Sequence, residues 1–236
     1  MPGLCQQGTL WGVDTTSNMA NIWSSVVSKA GTPQFVGRYI QLGTATPLQS
    51  GEAHFIHDNG VPILMIASPN TNSLTGGNAE QTGWNEALQS IRAANALGAT
   101  SGAIFRDVEE GEPISASYIR GWTSAFEGTG YTPGFYENSY SPSDPFPSAY
   151  CQVSTTLTTH IYLYASEGEP YDNQPVGQDT RANAPTTWGV AVPPCANQTV
   201  AWQYAERQYI PASQSAYPNI DLDEYQALDS NLLWSP

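Results

Sequence analysis

The segment GAIFRDVE at residues 102–109 is typical of a buried β-strand that ends in two carboxylates. Side chains alternate between the two faces of a strand, so Asp107 and Glu109 project to the same side. At about 3.3 Å per residue their Cα atoms lie about 6.6 Å apart, which lets both carboxyl groups reach one glycosidic bond. The pair therefore suits acid and base catalysis, although Asp and Glu are also common where a strand simply ends in solvent.

Short apolar runs alternate with helical patterns on both sides of this segment, which indicates successive βα units. The sequence predicts an α/β fold with a single (β/α)8 TIM barrel over residues 1–236, a core at about 9–226, and short or missing helices in the C-terminal half. An open doubly wound sheet is the main alternative, but the first βα turns lack a Gly-rich dinucleotide fingerprint. The strand candidates are residues 9–15, 34–40, 62–68, 102–109, 132–138, 161–166, 199–205 and 219–225.

The composition argues against several classes of function. Lys and Arg together number 7 against 21 acidic residues, and the formal net charge of −14 argues against a nucleic-acid partner or a polyanionic substrate. No run approaches the roughly 20 apolar residues that span a bilayer, so we expect no membrane span. The near-absence of lysine, the many Tyr and Trp residues and a glycosylation-type sequon at Asn197 together indicate a secreted protein.

Three cysteines bear on the redox compartment of the protein. Cys151 and Cys195 both lie in loop-like, Pro-rich surroundings, and we expect a disulfide between them. Cys5 would then be unpaired, and the same three residues are equally compatible with an intracellular protein whose thiols stay reduced.

Several of the predicted strands end in polar or acidic residues, and the carboxyl ends of strands meet on one face of a barrel. Asp14, Asp107, Glu109 and Asp221 therefore predict a shared acidic site, with ordinary turn chemistry as the alternative. Other polar and aromatic residues near strand ends are candidate substrate contacts, although such aromatics are more often core or barrel wall. These candidates are Arg38, Tyr39, Tyr136, Glu137, Tyr164, Trp202 and Gln203.

Strand alternation also predicts which side chains face the barrel interior. The odd-numbered residues from Phe105 to Glu109 share the inward face, and Asp14 points inward on the first strand. Trp11 would then pack outward against helices. Arg106 also falls on the helix side, where an arginine needs either a position near the strand end or an acidic partner.

Four short motifs occur in the order and spacing of a known enzyme family: GVD at 12–14, DVE at 107–109, WQY at 202–204 and IDLD at 220–223. They resemble the lysozymes of glycoside hydrolase family 25. FVGRYI at 35–40 and GAIFRDVE are more similar to a glycoside-hydrolase-like TIM-barrel family related to those lysozymes. The resemblance covers residues 10–226 and implies a glycoside hydrolase whose partner is a cell-wall or extracellular polysaccharide, such as a peptidoglycan-type glycan.

Carried over to this sequence, the resemblance implies that Glu109 is the general acid. Asp107 would stabilise charge at the anomeric carbon or on a substrate N-acetyl group, and Asp14 and Asp221 would complete the acidic floor. Glycoside hydrolysis needs one protonated and one ionised carboxyl group, and clustered acids favour such a split. A proton stays on the carboxyl that is most buried or most surrounded by negative charge, and we expect this to be Glu109.

Two other functions remain open. A non-catalytic carbohydrate-binding protein would keep the barrel and its aromatic residues without needing a protonated Glu109. A metal-dependent hydrolase could use Asp221, Asp223 and Glu224, but their spacing differs from that of a calcium loop. The expected chemistry uses carboxyl groups alone, so we expect no metal and no cofactor, and we expect a monomer.

Overall fold

The computed structural model describes residues 8–42, 47–69, 74–138, 143–166, 180–185, 187–196, 198–205 and 220–236. Eight strands form one closed barrel in chain order. The strands are β1 (Thr9–Thr15), β2 (Phe35–Leu42), β3 (Ile63–Ser68), β4 (Gly102–Val108), β5 (Tyr131–Glu137), β6 (Tyr162–Ser166), β7 (Thr199–Ala205) and β8 (Asp221–Gln226). The helices are α1 (Met19–Lys29), α2 (Ser50–Asp58), α3 (Ala79–Leu97), α4 (Ala116–Ser124) and α5 (Pro145–Cys151), with short 3-10 turns at Arg181–Asn183 and Ala227–Leu232.

The helices shorten along the chain. α3 has 19 residues and α5 has 7, and only 3-10 turns follow α5 within the described residues. The predicted TIM barrel with short helices in its C-terminal half is therefore confirmed. Across the same residues, no helix is both long and apolar enough to cross a bilayer.

The last strand departs from the all-parallel arrangement of a regular (β/α)8 barrel. Strands β1 to β7 run parallel to their neighbours, whereas β8 is antiparallel to both β7 and β1. The chain enters β8 at the end of the barrel where β7 leaves, so no crossover helix is needed between them. The first residues of β8 therefore lie beside the C-terminal ends of the other strands. We call this end of the barrel the mouth.

Local sequence signals set the ends of several helices. The Asn18 side chain accepts a hydrogen bond of 2.9 Å from Ala20 N at the start of α1, and Ser115 Oγ accepts one of 3.2 Å from Tyr118 N in α4. Gly98 follows α3 with a φ of 97°, a left-handed conformation that favours glycine and ends the helix.

Buried apolar side chains form two layers. One lies between the sheet and the helices and includes Trp11 and Ile104, whereas the other lies inside the barrel and includes Phe105 and Tyr164. The rings of Phe105 and Tyr164 meet edge to face with their centroids 5.9 Å apart. The inward and outward alternation predicted for β1 and β4 is thus confirmed.

Arg106 points into the outer layer and is only 2% exposed. Its Nε donates a hydrogen bond of 3.0 Å to Tyr118 Oη, and its Nη2 lies 3.4 Å from Glu112 Oε1. The Glu86 carboxylate lies 3.8 Å from Nε and accepts the Tyr118 hydroxyl. Two acids therefore neutralise this buried arginine, which meets the need for an acidic partner.

A disulfide joins Cys151 at the end of α5 to Cys195, with the two Cα atoms 5.5 Å apart, and it confirms the predicted pairing. The bridge connects α5 to the segment 187–196, whose Trp188 packs edge to face on Trp202 of β7 with centroids 5.8 Å apart. Cys5 and the sequon at Asn197 lie outside the described residues.

Candidate active site at the barrel mouth

Two of the predicted acids meet where β1 lies beside β8. Asp14 is 2% exposed, and its register partners are Gly37 on β2 and Asp221 on β8. A Cβ atom at Gly37 would lie 2.5 Å from the Cβ of Asp14, so only glycine leaves room for this carboxylate. Asp221 begins its strand rather than ending it, and it reaches the mouth because β8 is antiparallel.

Asp107 and Glu109 differ in burial. Asp107 lies within β4 and is 3% exposed, whereas Glu109 follows the strand and is exposed. Burial and then the charge of Glu109 raise the pKa of Asp107 to about 8, against the lowering effects of Arg106 and of a hydrogen bond with Ser68. Glu109 is therefore not the more buried acid of the pair, and the raised pKa of Asp107 favours its protonated form near neutral pH.

Tyr39 of β2 lies near all four of the predicted acids. Burial raises its pKa well above the usual value, and the charges of Asp107, Asp14, Glu109 and Asp221 add to this increase. Four acids from three separate parts of the sequence therefore lie near enough to act on the Tyr39 hydroxyl at the barrel mouth.

A hydrogen-bonded network lies beneath these acids. Tyr164 Oη is 2.7 Å from Asp14 Oδ2 and 2.6 Å from Asp223 Oδ1. Gln203 Nε2 donates a hydrogen bond of 2.9 Å to the same Asp14 oxygen. The floor of the site is thus built from inward-facing side chains of β1, β6, β7 and β8.

Tyr136 of β5 extends this floor. Its hydroxyl donates a hydrogen bond of 2.8 Å to Gln203 Oε1, and its ring packs against Tyr164 with centroids 4.6 Å apart. All three side chains are buried. Of the predicted substrate contacts, the structure therefore brings Tyr39, Tyr136, Tyr164 and Gln203 together with the acids.

The structure does not bring Arg38 to this group. Its neighbours Gly37 and Tyr39 face inward, so Arg38 faces the outer layer. The guanidinium is 1% exposed and binds both carboxylate oxygens of Glu52, with Nε to Oε1 at 2.7 Å and Nη2 to Oε2 at 2.9 Å. Its Nη1 donates to the Thr15 carbonyl at 2.8 Å. Arg38 joins β2 to α2 and to the end of β1, and this buried ion pair replaces the predicted contact with substrate.

Glu137 and Trp202 also face the outer layer, although both were predicted to contact substrate. Glu137 is fully buried, and its charge contributes to the raised pKa of Tyr150 in α5. Trp202 is 2% exposed and packs between Trp188 and Tyr204. Each is one residue away from an inward-facing neighbour, so alternation turns it away from the acids.

Asp223, predicted from sequence only as a possible metal ligand, belongs to this network. Asp223 is fully buried beneath the mouth, where it contacts Tyr164. The alternation of side chains along β8 could have predicted this position, since it places Asp221 and Asp223 on one face of the strand and Glu224 on the other. Among the residues that the structure describes, no group of three or more His, Cys, Asp or Glu side chains is arranged to hold a metal ion.

The closed barrel and its acidic mouth define a glycoside hydrolase-like architecture, and sequence comparison gives the same class. Residues 28–225 match the model of the Rv2525c-like, glycoside hydrolase-like domain, and the chain belongs to this family. The family resemblance inferred from the short motifs is therefore confirmed. No curated protein sequence matches the chain significantly.

Several solved structures share the fold. An uncharacterized protein of B. stearothermophilus superposes with a TM-score of 0.81 at 22% identity, over 95% of this chain and 100% of that one. The modular autolysin LytC from Streptococcus pneumoniae gives 0.57 at 14% identity, over 94% of this chain but 48% of LytC. A family 25 glycosyl hydrolase from Bacillus anthracis gives 0.50 at 14% identity, over 94% and 91% of the two chains. At these identities the likeness establishes the fold.

Proposed function

We propose that the protein is a glycoside hydrolase that cleaves a cell-wall polysaccharide at the barrel mouth. The observation that carries this proposal is the group of four carboxylates around Tyr39. A site of this kind can hold one carboxyl protonated beside another that is ionised, which is the requirement of glycoside hydrolysis.

Glu109 is the general acid in this proposal. Its exposed side chain is the member of the pair that a glycosidic oxygen can approach. The neighbouring Asp107 holds the proton near neutral pH because burial and the charge of Glu109 raise its pKa to about 8. A glycan that covers Glu109 removes water from its charged form, which favours transfer of the shared proton to Glu109.

Asp107 then becomes the ionised partner. Its carboxylate lies on the inward face of β4, where it stabilises the positive charge that develops at the anomeric carbon or on a substrate N-acetyl group. Asp14 and Asp221 lie side by side across β1 and β8 and form the acidic floor that contacts the sugar. Tyr39 lies among the four acids and is the aromatic side chain placed to contact the bound sugar.

Membership of a glycoside hydrolase-like family supports a glycan as the substrate, and the resemblance of the short motifs to family 25 lysozymes favours a peptidoglycan-type chain. The formal net charge of −14 disfavours a polyanionic polymer and favours a neutral or N-acetylated chain. The disulfide between Cys151 and Cys195 supports action outside the cell, where such bonds persist.

The test is release of new reducing ends from purified bacterial peptidoglycan and from fungal chitin, measured from acidic to neutral pH. Wild type is compared with Glu109→Gln and with a matched control, Glu110→Gln, which alters the next residue along the chain and is also exposed. We expect wild type and Glu110→Gln to cleave one polymer and Glu109→Gln to lose at least about 100-fold in rate, the typical contribution of a general acid.

Equal turnover by wild type and Glu109→Gln would remove Glu109 from the mechanism. Retention of all three proteins on a polymer that none of them cleaves would instead support the carbohydrate-binding function.

A further inference from the structure

Tyr164 lies between two carboxyl groups in the barrel interior. Its Oη is within hydrogen-bonding distance of Asp14 Oδ2, at 2.7 Å, and of Asp223 Oδ1, at 2.6 Å. A tyrosine hydroxyl carries one hydrogen, so it donates to one of these oxygens and accepts from the other. An accepted hydrogen bond from a carboxyl group requires that this group be protonated. The two contacts together therefore require one proton on the pair formed by Asp14 and Asp223.

Gln203 indicates which member is ionised. Its Oε1 accepts hydrogen bonds from Tyr136 Oη at 2.8 Å and from Ser166 Oγ at 3.4 Å. This orientation directs Nε2 to Asp14 Oδ2, at 2.9 Å. The same oxygen receives the Tyr164 hydroxyl, so Asp14 is held by two donors, and donors stabilise the charged form of a carboxylate.

The surroundings of Asp223 favour the neutral form. The side chain is fully buried, and no donor among the described residues reaches its Oδ2. Burial and then the charge of Asp14 raise the pKa of Asp223 well above its usual value. The charge of Asp221 and a direct hydrogen bond with Asp14 add to this increase, against the opposing hydrogen bond from Tyr164. An ionised Asp223 would lack the donors that a buried charge needs.

We propose that Asp223 is a positioning residue that stores one proton and, through Tyr164, holds Asp14 as a fixed, ionised acceptor beneath the substrate. The proton lies on Asp223 Oδ1, Tyr164 accepts it and donates its own hydrogen to Asp14, and the unit carries a single negative charge. This inference rests on the proposed function for its role in catalysis, but the position of the proton does not depend on that function.

Neutron diffraction from crystals exchanged into heavy water near neutral pH tests the proton position directly. We expect deuterium on Asp223 Oδ1 and on Tyr164 Oη, and none on Asp14. Deuterium on Asp14, or on neither carboxyl group, would overturn the inference. This result stands whether or not the protein cleaves any polysaccharide, so failure of the proposed function remains distinguishable.

Hydrolysis of bacterial peptidoglycan tests the positioning role. Asp223→Ala should lower kcat/KM by about tenfold or more, on the order of one hydrogen bond in a charged network. Asp223→Asn should restore most of this loss, because its amide can donate to Tyr164 as the protonated carboxyl does. An Asp223→Asn variant as impaired as Asp223→Ala, with a thermal midpoint near that of wild type, would contradict the inference. If Asp223→Ala does not fold, the comparison of Asp223→Asn with wild type and the neutron density decide the question.

Discussion

Glu224→Gln should change how the stability of the protein depends on pH. Glu224 faces the outer layer of β8, where its register partners are Trp11 on β1 and Trp202 on β7. The side chain is fully buried, and neither carboxyl oxygen has a hydrogen-bond partner among the described residues. Burial raises the pKa of this carboxyl from 4.5 to about 7, because the surroundings disfavour the charged form.

The size of the effect follows from this difference in pKa. The folded protein binds the Glu224 proton more tightly than the unfolded chain does, so the stabilising contribution is complete below pH 4.5 and is lost as the pH rises through about 7. Each unit of difference between the folded and unfolded pKa is worth about 1.4 kcal/mol, so wild type should lose about 3 kcal/mol of unfolding free energy from this group alone. Glutamine is neutral throughout, so Glu224→Gln should not show this loss.

Denaturant unfolding at a series of pH values from about 5 to about 9 measures the effect. The quantity to follow is the unfolding free energy of Glu224→Gln minus that of wild type, since other titrating groups are common to both and cancel. We expect this difference to increase by about 3 kcal/mol in favour of the variant across the series. Glu110→Gln, at an exposed site, should show no such trend. A difference that stays constant with pH would refute the assignment of Glu224 as a buried carboxyl without a partner.

The titration of Asp107, the disulfide and the Arg38 ion pair can each be tested separately. Wild-type hydrolysis should decrease as pH rises through about 8, where the pair formed by Asp107 and Glu109 loses its shared proton. Asp107→Asn should lower kcat by about 100-fold. The pH–rate profiles of wild type and this variant test both expectations, and a flat wild-type profile would contradict the first. Replacing both Cys151 and Cys195 by serine removes a bridge between residues 44 apart in sequence and should cost about 4 kcal/mol in denaturant unfolding. An unchanged unfolding free energy would contradict this. Arg38→Ala leaves Glu52 buried without its cation and should cost about 3–5 kcal/mol in the same assay, and a loss under about 1 kcal/mol would show that the ion pair is not structural.

The inward-facing residues of the site were largely predictable from sequence. Alternation along GAIFRDVE placed Phe105 and Asp107 inside the barrel, and the structure has both there. The same rule applied to β2 would have turned Arg38 outward, because the inward residue of VGRYI is Tyr39. Arg38 was instead predicted to contact substrate because it lies near a strand end. The position of a residue near a strand end could be predicted from sequence, whereas the alternation of side chains along the strand decides whether it faces inward or outward.

The direction of β8 was not predictable from its own sequence. Asp221 is the third residue of NIDLDEY and the first of β8, and a parallel strand would have carried it to the opposite end of the barrel. Its pairing with Asp14 depends on contacts between segments more than 200 residues apart, which no local pattern encodes. Burial was equally inaccessible, since the exposure of Glu109 and the enclosure of Asp107 depend on where β4 ends relative to its neighbours.

Glu109 is proposed to donate a proton to a glycosidic oxygen, and product analysis of matched variants tests this role. Products released from purified peptidoglycan by wild type, Glu109→Gln and Glu110→Gln are identified and quantified by mass spectrometry at equal protein concentration. Glu109 is exposed, so its substitution should change the unfolding free energy by no more than about 0.5 kcal/mol. We expect glycan fragments with new reducing ends from wild type and Glu110→Gln, and at least about 100-fold less from Glu109→Gln. Equal amounts from all three proteins would contradict it.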